Sequence, residues 1–205
     1  PVLPGVWAEA ARRLEGFVDR ADVSDDRPSS PRRHLPADPA SPPVGTVPGV
    51  IELLEHPRRL VALEAAHNFR DLGGYPTDDG RVTRWGRLFR ADGLHRLTDA
   101  DIEIVRSLGL RTVIDLRTQA ELDERGRAPA ERFEASFTHL PVIDATWSHD
   151  ASDVHDSDHD FLVWAYSTMI DEGATRFARA IEELARPGAL PAVFHCAAGK
   201  DRTGI

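Results

Sequence analysis

Ala192-Val193-Phe194-His195-Cys196-Ala197-Ala198-Gly199-Lys200-Asp201-Arg202-Thr203-Gly204-Ile205 is the stretch from which the rest of the chain is read. Cys196 is the single cysteine of the sequence, and Lys200 is its single lysine. Ala192-Val193-Phe194 suits a short buried strand ending at His195. The small residues that follow let the backbone curl. Successive N–H groups in such a loop point inward and form an anion nest. Arg202 adds a planar fork that pairs two phosphate oxygens at once. Cys196 would then lie beneath a bound phosphorus as nucleophile. That chemistry needs a thiolate, a form that nearby cations and N–H dipoles stabilise. The competing reading is a buried structural cysteine beside a turn. A Walker-type nucleotide loop is excluded by spacing, because it needs glycine where Phe194 stands and serine or threonine where Asp201 stands.

Composition narrows the function classes. The 205 residues carry a formal net charge of −9, which argues against a nucleic-acid binder with a basic stripe. One cysteine cannot form an internal disulfide, so nothing marks an oxidising compartment. A cytoplasmic location is the default, and export stays open because the sequence opens at Pro1 without methionine. No apolar run approaches the length needed to span a membrane. The near-exclusive use of arginine over lysine points to a GC-rich, bacterial coding sequence, and sets the lone lysine apart as functional.

Three parts are expected. Residues 1–20 include a short amphipathic helix over 5–20, with Trp7, Ala10, Leu14, Phe17 and Val18 at helical spacing. Residues 21–49 are rich in Pro, Ser and Asp and read as a flexible linker. Residues 50–205 form an α/β domain with a mainly parallel central sheet flanked by helices. Strands are expected at 60–64, 87–90, 112–116, 137–141 and 192–194. Thr98 should cap a helix through Ser107 that largely buries Ile102, Ile104, Val105 and Leu108, with Gly109 ending it. Thr118 and Glu121 make a capping box for a further short helix. Two helices are expected at 160–171 and 174–186, stopped by Pro187-Gly188. The segment 144–160 is rich in Asp and His, including Asp144, His149, Asp150, His155 and Asp160. Metal ligation is one reading of it, and a mobile loop over the site is the preferred one.

His195-Cys196-Ala197-Ala198-Gly199-Lys200-Asp201-Arg202-Thr203-Gly204 resembles the signature loop of the bacterial cysteine-dependent protein tyrosine phosphatases, in particular the tyrosine and lipid phosphatase branch with Lys-Asp-Arg in that loop. Asn68-Phe69-Arg70-Asp71-Leu72-Gly73-Gly74-Tyr75 resembles the opening motif of the same branch. Ala91-Asp92-Gly93-Leu94 and Ile114-Asp115-Leu116-Arg117-Thr118 are also similar to it, so the likeness covers roughly residues 59–205. It implies a phosphatase-type fold and hydrolysis of phosphomonoesters, protein phosphotyrosine first and phosphoinositides second. The route is a phosphocysteine intermediate, with no metal or other cofactor. A non-catalytic phosphate-binding module is the alternative. In the family a helix begins near Thr203 and packs behind the loop. Only two residues follow Thr203 here, so the C-terminal helices are expected to lie outside this sequence, leaving a truncated domain.

The expected roles follow. Cys196 attacks, and Arg202 binds the phosphoryl oxygens in ground and transition states. Ala197, Ala198, Gly199, Lys200 and Asp201 supply backbone N–H groups. Thr203 donates to the sulfur as it leaves, and His195 steadies the loop. Lys200 either meets an additional substrate phosphate or faces solvent. Arg70 and Asp71 read as an ion pair bracing the loop in preference to a substrate contact. Asp144 and Asp201 compete as general acid, with Asp144 favoured because it opens the mobile segment.

Overall fold

The computed structural model describes residues 18–20, 56–77, 79–146 and 157–205, the first of these by backbone alone. Five strands make the central sheet: β2 (Arg70–Asp71), β4 (Leu88–Ala91), β5 (Thr112–Asp115), β6 (Ser136–His139) and β7 (Ala192–His195). Their spatial order is β2-β4-β7-β5-β6. Only the β2–β4 pairing is antiparallel; β7 runs parallel to both β4 and β5, and β5 parallel to β6. A separate two-stranded sheet pairs β1 (Val18–Arg20) with β3 (Arg81–Thr83).

Helix α1 (Asp99–Ser107) connects β4 to β5, and α2 (Gln119–Arg125) follows β5. A 3₁₀ turn (Ala130–Phe133) precedes β6, and the long helix α3 (Asp158–Ala185) leads into β7. The α/β architecture with a mostly parallel sheet is therefore the one expected. The strand that is last in the chain is the middle one in space. Alternation along the strands divides the core between the two faces. Phe89, Val113 and Val193 lie side by side in register and pack with Ile102, Val105 and Phe133 on the α1 face. Ile114, Ala192 and partly buried Phe194 pack with Ala180 and Leu184 of α3 on the other.

Local signals worked where caps are self-contained. Thr98 and Asp101 form a reciprocal capping box on α1, Thr118 and Glu121 another on α2, and Gly109 leaves α1 at φ +63°. Ile102 and Val105 are buried and Leu108 half-buried, but Ile104 is exposed, on the outer face of α1.

Four expectations need correction. Residues 60–64 are not a strand: Leu60 makes a single bridge to Arg70, and the N–H groups of Glu64 and Ala65 donate to the Asp101 carboxylate at 2.6 and 3.0 Å. A cap on another element has taken the donors a ladder would need. The two helices at 160–171 and 174–186 are one continuous helix, α3. Gly173 does not break it, because that turn presses on the chain beyond β6; a Cβ there would come within 2.9 Å of the Val142 carbonyl oxygen. Val18–Arg20, placed at the end of an N-terminal helix, are β-strand, their backbone pairing with β3. Residues 5–17 of that expected helix, the linker 21–49 and most of the Asp/His segment (147–156) lie outside the described residues. The fourth correction concerns Arg70 and Asp71. Neighbours on a strand point to opposite faces, and the Asp71 carboxylate accepts from the N–H groups of Gly73 at 2.8 Å and Gly86 at 2.7 Å instead of pairing with Arg70. No helix of the described residues is long and apolar enough to cross a membrane.

Candidate active site

Ala91, His195, Asp115 and His139 stand abreast at the carboxyl ends of the four parallel strands. Crevices at this edge are where open α/β sheets bind ligands. The loop after β7, residues 196–202, rises from the centre of that row. Cys196 is 2% exposed, and the Gly199 N–H donates to its Sγ at 3.2 Å.

What shapes the loop is the fate of its carbonyl groups. The Ala197 carbonyl accepts from the Gly93 N–H at 3.0 Å. The Ala198 and Gly199 carbonyls accept from Asn68 Nδ2 at 2.9 and 3.1 Å. Arg90 Nη2 donates to the Gly199 and Lys200 carbonyls at 2.6 and 3.3 Å. With the oxygens tied outward, the N–H groups are turned to the concave side, as a nest requires. Gly199 has φ +65°, and a Cβ there would lie 2.5 Å from the Ala91 carbonyl oxygen. Only glycine fits such a backbone at such an approach.

Arg202 is nearly buried, and Glu121 of α2 grips it end-on, with Nη1 to Oε2 at 2.5 Å and Nη2 to Oε1 at 2.9 Å. That geometry leaves the Nε side of the guanidinium to face an anion. Burial alone would raise the Glu121 carboxyl, but the hydrogen bonds from Arg202 and the Thr118 N–H outweigh it and bring it down to about 2. Arg202 is pulled the opposite way: burial lowers it, the Glu121 pairing more than compensates, and the net direction is up.

Beneath the loop, Asp115 and Arg117 are fully buried and paired, Nη2 to Oδ2 at 2.6 Å. Burial pushes Asp115 up, and hydrogen bonds from Arg117 overcome it to hold the carboxyl below its usual range. His195 Nε2 lies 3.6 Å from Asp115 Oδ2, and its Nδ1 is 3.3 Å from the Cys196 carbonyl. Complete burial holds His195 below the usual imidazole range despite Asp115. The hydroxyl of buried Thr203 has no hydrogen-bond partner among the described residues.

The site is a loop after a parallel strand that carries a buried cysteine, holds its carbonyls outward and has a braced arginine six residues after the sulfur. The sequence pattern of the tyrosine phosphatase family fits residues 61–205. The chain belongs to the tyrosine phosphatase family. It is 32% identical over 157 residues to a protein of Cupriavidus necator named as a tyrosine-protein phosphatase, covering 72% of this chain and 55% of that one. It is 32% identical over 169 residues to the triple specificity protein phosphatase of Mycobacterium tuberculosis, covering 70% and 59%. A tyrosine-protein phosphatase of Nostoc commune is 34% identical over 121 residues, covering 57% and 39%. The chain spans about half the length of the curated relatives it matches.

Beside the phosphatase loop lies a cleft of about 310 Å³, walled by Phe161, Leu162, Tyr166 and Met169 of α3 on one side and by Lys200, Asp201 and Arg202 on the other. The Tyr166 hydroxyl donates to Asp201 Oδ1, and this contact, with burial, pushes the phenol up to about 12. Lys200 is largely exposed, its Nζ 3.8 Å from the same Oδ1. Asp144 stands apart from these groups: its carboxylate is 85% exposed and takes a hydrogen bond from Arg176 Nη2 at 2.6 Å. Of the expected site residues, Cys196 through Thr203 and His195 are brought together. Asp71 supports the turn at Gly73 and Gly86.

Sequence reasoning missed Glu121, Asn68, Arg90 and Tyr166. Arg90 carried a usable signal, because a cation inside a short buried parallel strand needs a partner. Asn68 lay within a motif already quoted. Glu121 was hidden because its capping role accounted for it fully.

Proposed function

We propose that this chain carries the catalytic centre of a phosphatase that hydrolyses phosphomonoesters, protein phosphotyrosine first and phosphoinositides second. The observation that carries this reading is the loop itself: Cys196 Sγ at its base, carbonyls tied outward, and Arg202 clamped by Glu121. The names of the relatives point the same way. In the first step Sγ attacks phosphorus, the S–P bond forms as the P–O bond to the leaving group breaks, and the leaving oxygen takes a proton. In the second step water attacks the phosphocysteine, and the thiolate departs with the Thr203 hydroxyl available to donate to it. The loop N–H groups and the Nε edge of Arg202 bind the equatorial oxygens throughout. No step requires a metal.

For the proton donor, the reading moves to Asp201. It faces the cleft where a leaving group would lie, whereas Asp144 is engaged with Arg176 at the surface. Tyr166 and Lys200 both approach Oδ1, so Oδ2 remains available to carry the proton.

The test is kinetic, on the full-length protein. Cys196→Ser should abolish turnover of an aryl phosphate while phosphate binding persists, and EDTA should leave the wild-type rate unchanged. Asp201→Asn should lose the basic limb of its pH–rate profile and slow a poor leaving group by about 10²-fold or more, sparing a good one. Loss of that limb in Asp144→Asn instead would return the role to Asp144. Phosphate binding without turnover in the wild type would make the chain a binding module.

A further inference from the structure

A second cleft, of about 290 Å³, opens on the other flank of the loop, lined by His67, His95, Arg96, Arg125, Asp92 and Ala197 among others. Ala197 adjoins the nucleophile, so the cleft begins about 4 Å along the backbone from Cys196.

The chain is acidic overall, yet this cleft gathers two arginines and two histidines. Its one carboxylate, Asp92, is already engaged, accepting from the N–H groups of His67 at 3.0 Å and Asn68 at 3.1 Å. Among the described residues Arg96 makes no ion pair, and Arg125 only a distant one, its Nε 3.9 Å from Glu124. His95 Nδ1 is buried without a hydrogen-bond partner. Burial first, then Arg117, Arg96 and Arg125, hold His95 below the usual imidazole range. Arg125 is also aimed by its helix. Glu121 and Arg125 are four residues apart on α2 and share a face, and Glu121 grips the catalytic arginine.

We propose that this cleft is a subsite for a second phosphomonoester on the substrate, carried on the same small ring as the one being hydrolysed and held by Arg96 and Arg125 with His95 behind them. The proposal rests on the phosphatase reading above. It makes substrate choice depend on a second cationic contact beside Cys196, in addition to the loop that takes the phosphate being hydrolysed.

The experiment compares phenyl phosphate with 1,2- and 1,3-phenylene bisphosphate on full-length protein, wild type and Arg96→Ala/Arg125→Ala. Two charge-assisted contacts should favour a bisphosphate in kcat/KM by about tenfold or more, and the double substitution should bring that ratio to within about twofold of one. No preference in the wild type, or a preference that survives the double substitution, overturns the subsite. A short-chain phosphoinositide bisphosphate and the same headgroup without acyl chains, each against its monophosphate, tell a lipid source from a free polyol phosphate. Preference in either arm supports the subsite, and its absence from both overturns it. A binding arm separates this proposal from the enzymatic one. Pyrophosphate should bind Cys196→Ser more tightly than phosphate does, and the added Arg96→Ala/Arg125→Ala should erase the difference. Binding preference without turnover would sink the phosphatase reading alone, and turnover without preference would sink the subsite alone.

Discussion

Glu121 serves two elements at once. Its Oε2 accepts from the Thr118 N–H at 2.9 Å, closing the cap of α2, and both its oxygens hold Arg202. Glutamine is also accepted at that capping position, so Glu121→Gln keeps the cap and weakens the clamp. It should cost about 3 kcal/mol, the lower end for breaking a largely buried pair, and reduce kcat/KM on an aryl phosphate. The pH dependence has a definite sign. The folded-state carboxyl lies at about 2, below its ordinary value of 4.5. The stabilisation is therefore complete above pH ~4.5 and is lost as pH falls through about 2. Chemical denaturation from pH 5 to 2 should show a flatter stability curve for Glu121→Gln than for wild type; parallel curves would remove the clamp from the account. At this scale the placement of Cys196 and Arg202 in one loop was legible, because residue type and a spacing of six suffice to suggest a phosphate loop. The clamp was not, because Glu121 and Arg202 are 81 residues apart and nothing local links them.

Helix α3 is the element on which local and tertiary preferences conflict. Gly173 is a poor helix former at its middle, and alanine would be favoured there by about 1 kcal/mol on propensity alone. Yet Gly173 is where α3 meets the Val142 carbonyl, and a Cβ would also come within 3.0 Å of the Phe177 ring. Overpacking of this kind costs about 1–3 kcal/mol. Gly173→Ala should therefore lower stability by about 1 kcal/mol net, read by urea denaturation. A stabilised variant would show that the contact relaxes freely. The same conflict explains the break expected between 171 and 174. Glycine reads as an interruption when its neighbours in space are unknown, and as a packing device once they are known. Elements with self-contained caps, α1 and α2, were placed correctly because their signals lie within four residues.

For the whole molecule, the separation of the β1–β3 pair from the central sheet yields a further expectation. Removing residues 1–49 from the full-length protein takes away β1 but leaves every strand around the loop. Its Tm should shift by less than about 4 °C, the equivalent of 1 kcal/mol at this size, and turnover of an aryl phosphate should stay within about twofold. A large loss of kcat would place the N-terminal segment in the catalytic core. By itself, the sequence determined the α/β class, most of the strands, the Thr98 cap, the Thr118–Glu121 capping box, and a cysteine and an arginine spaced for one phosphate. All of these depend on residues within one turn, one strand or one loop. Only the tertiary structure decided that the last strand lies in the middle of the sheet. It also decided what holds the loop carbonyls outward: Asn68 reaches Ala198 across 130 residues of chain, and Arg90 reaches Gly199 across 109. It alone brought Tyr166 to Asp201 and separated Asp144 from both. Those contacts join segments far apart in the chain, and they exist because buried polar groups must find partners wherever packing brings the segments together.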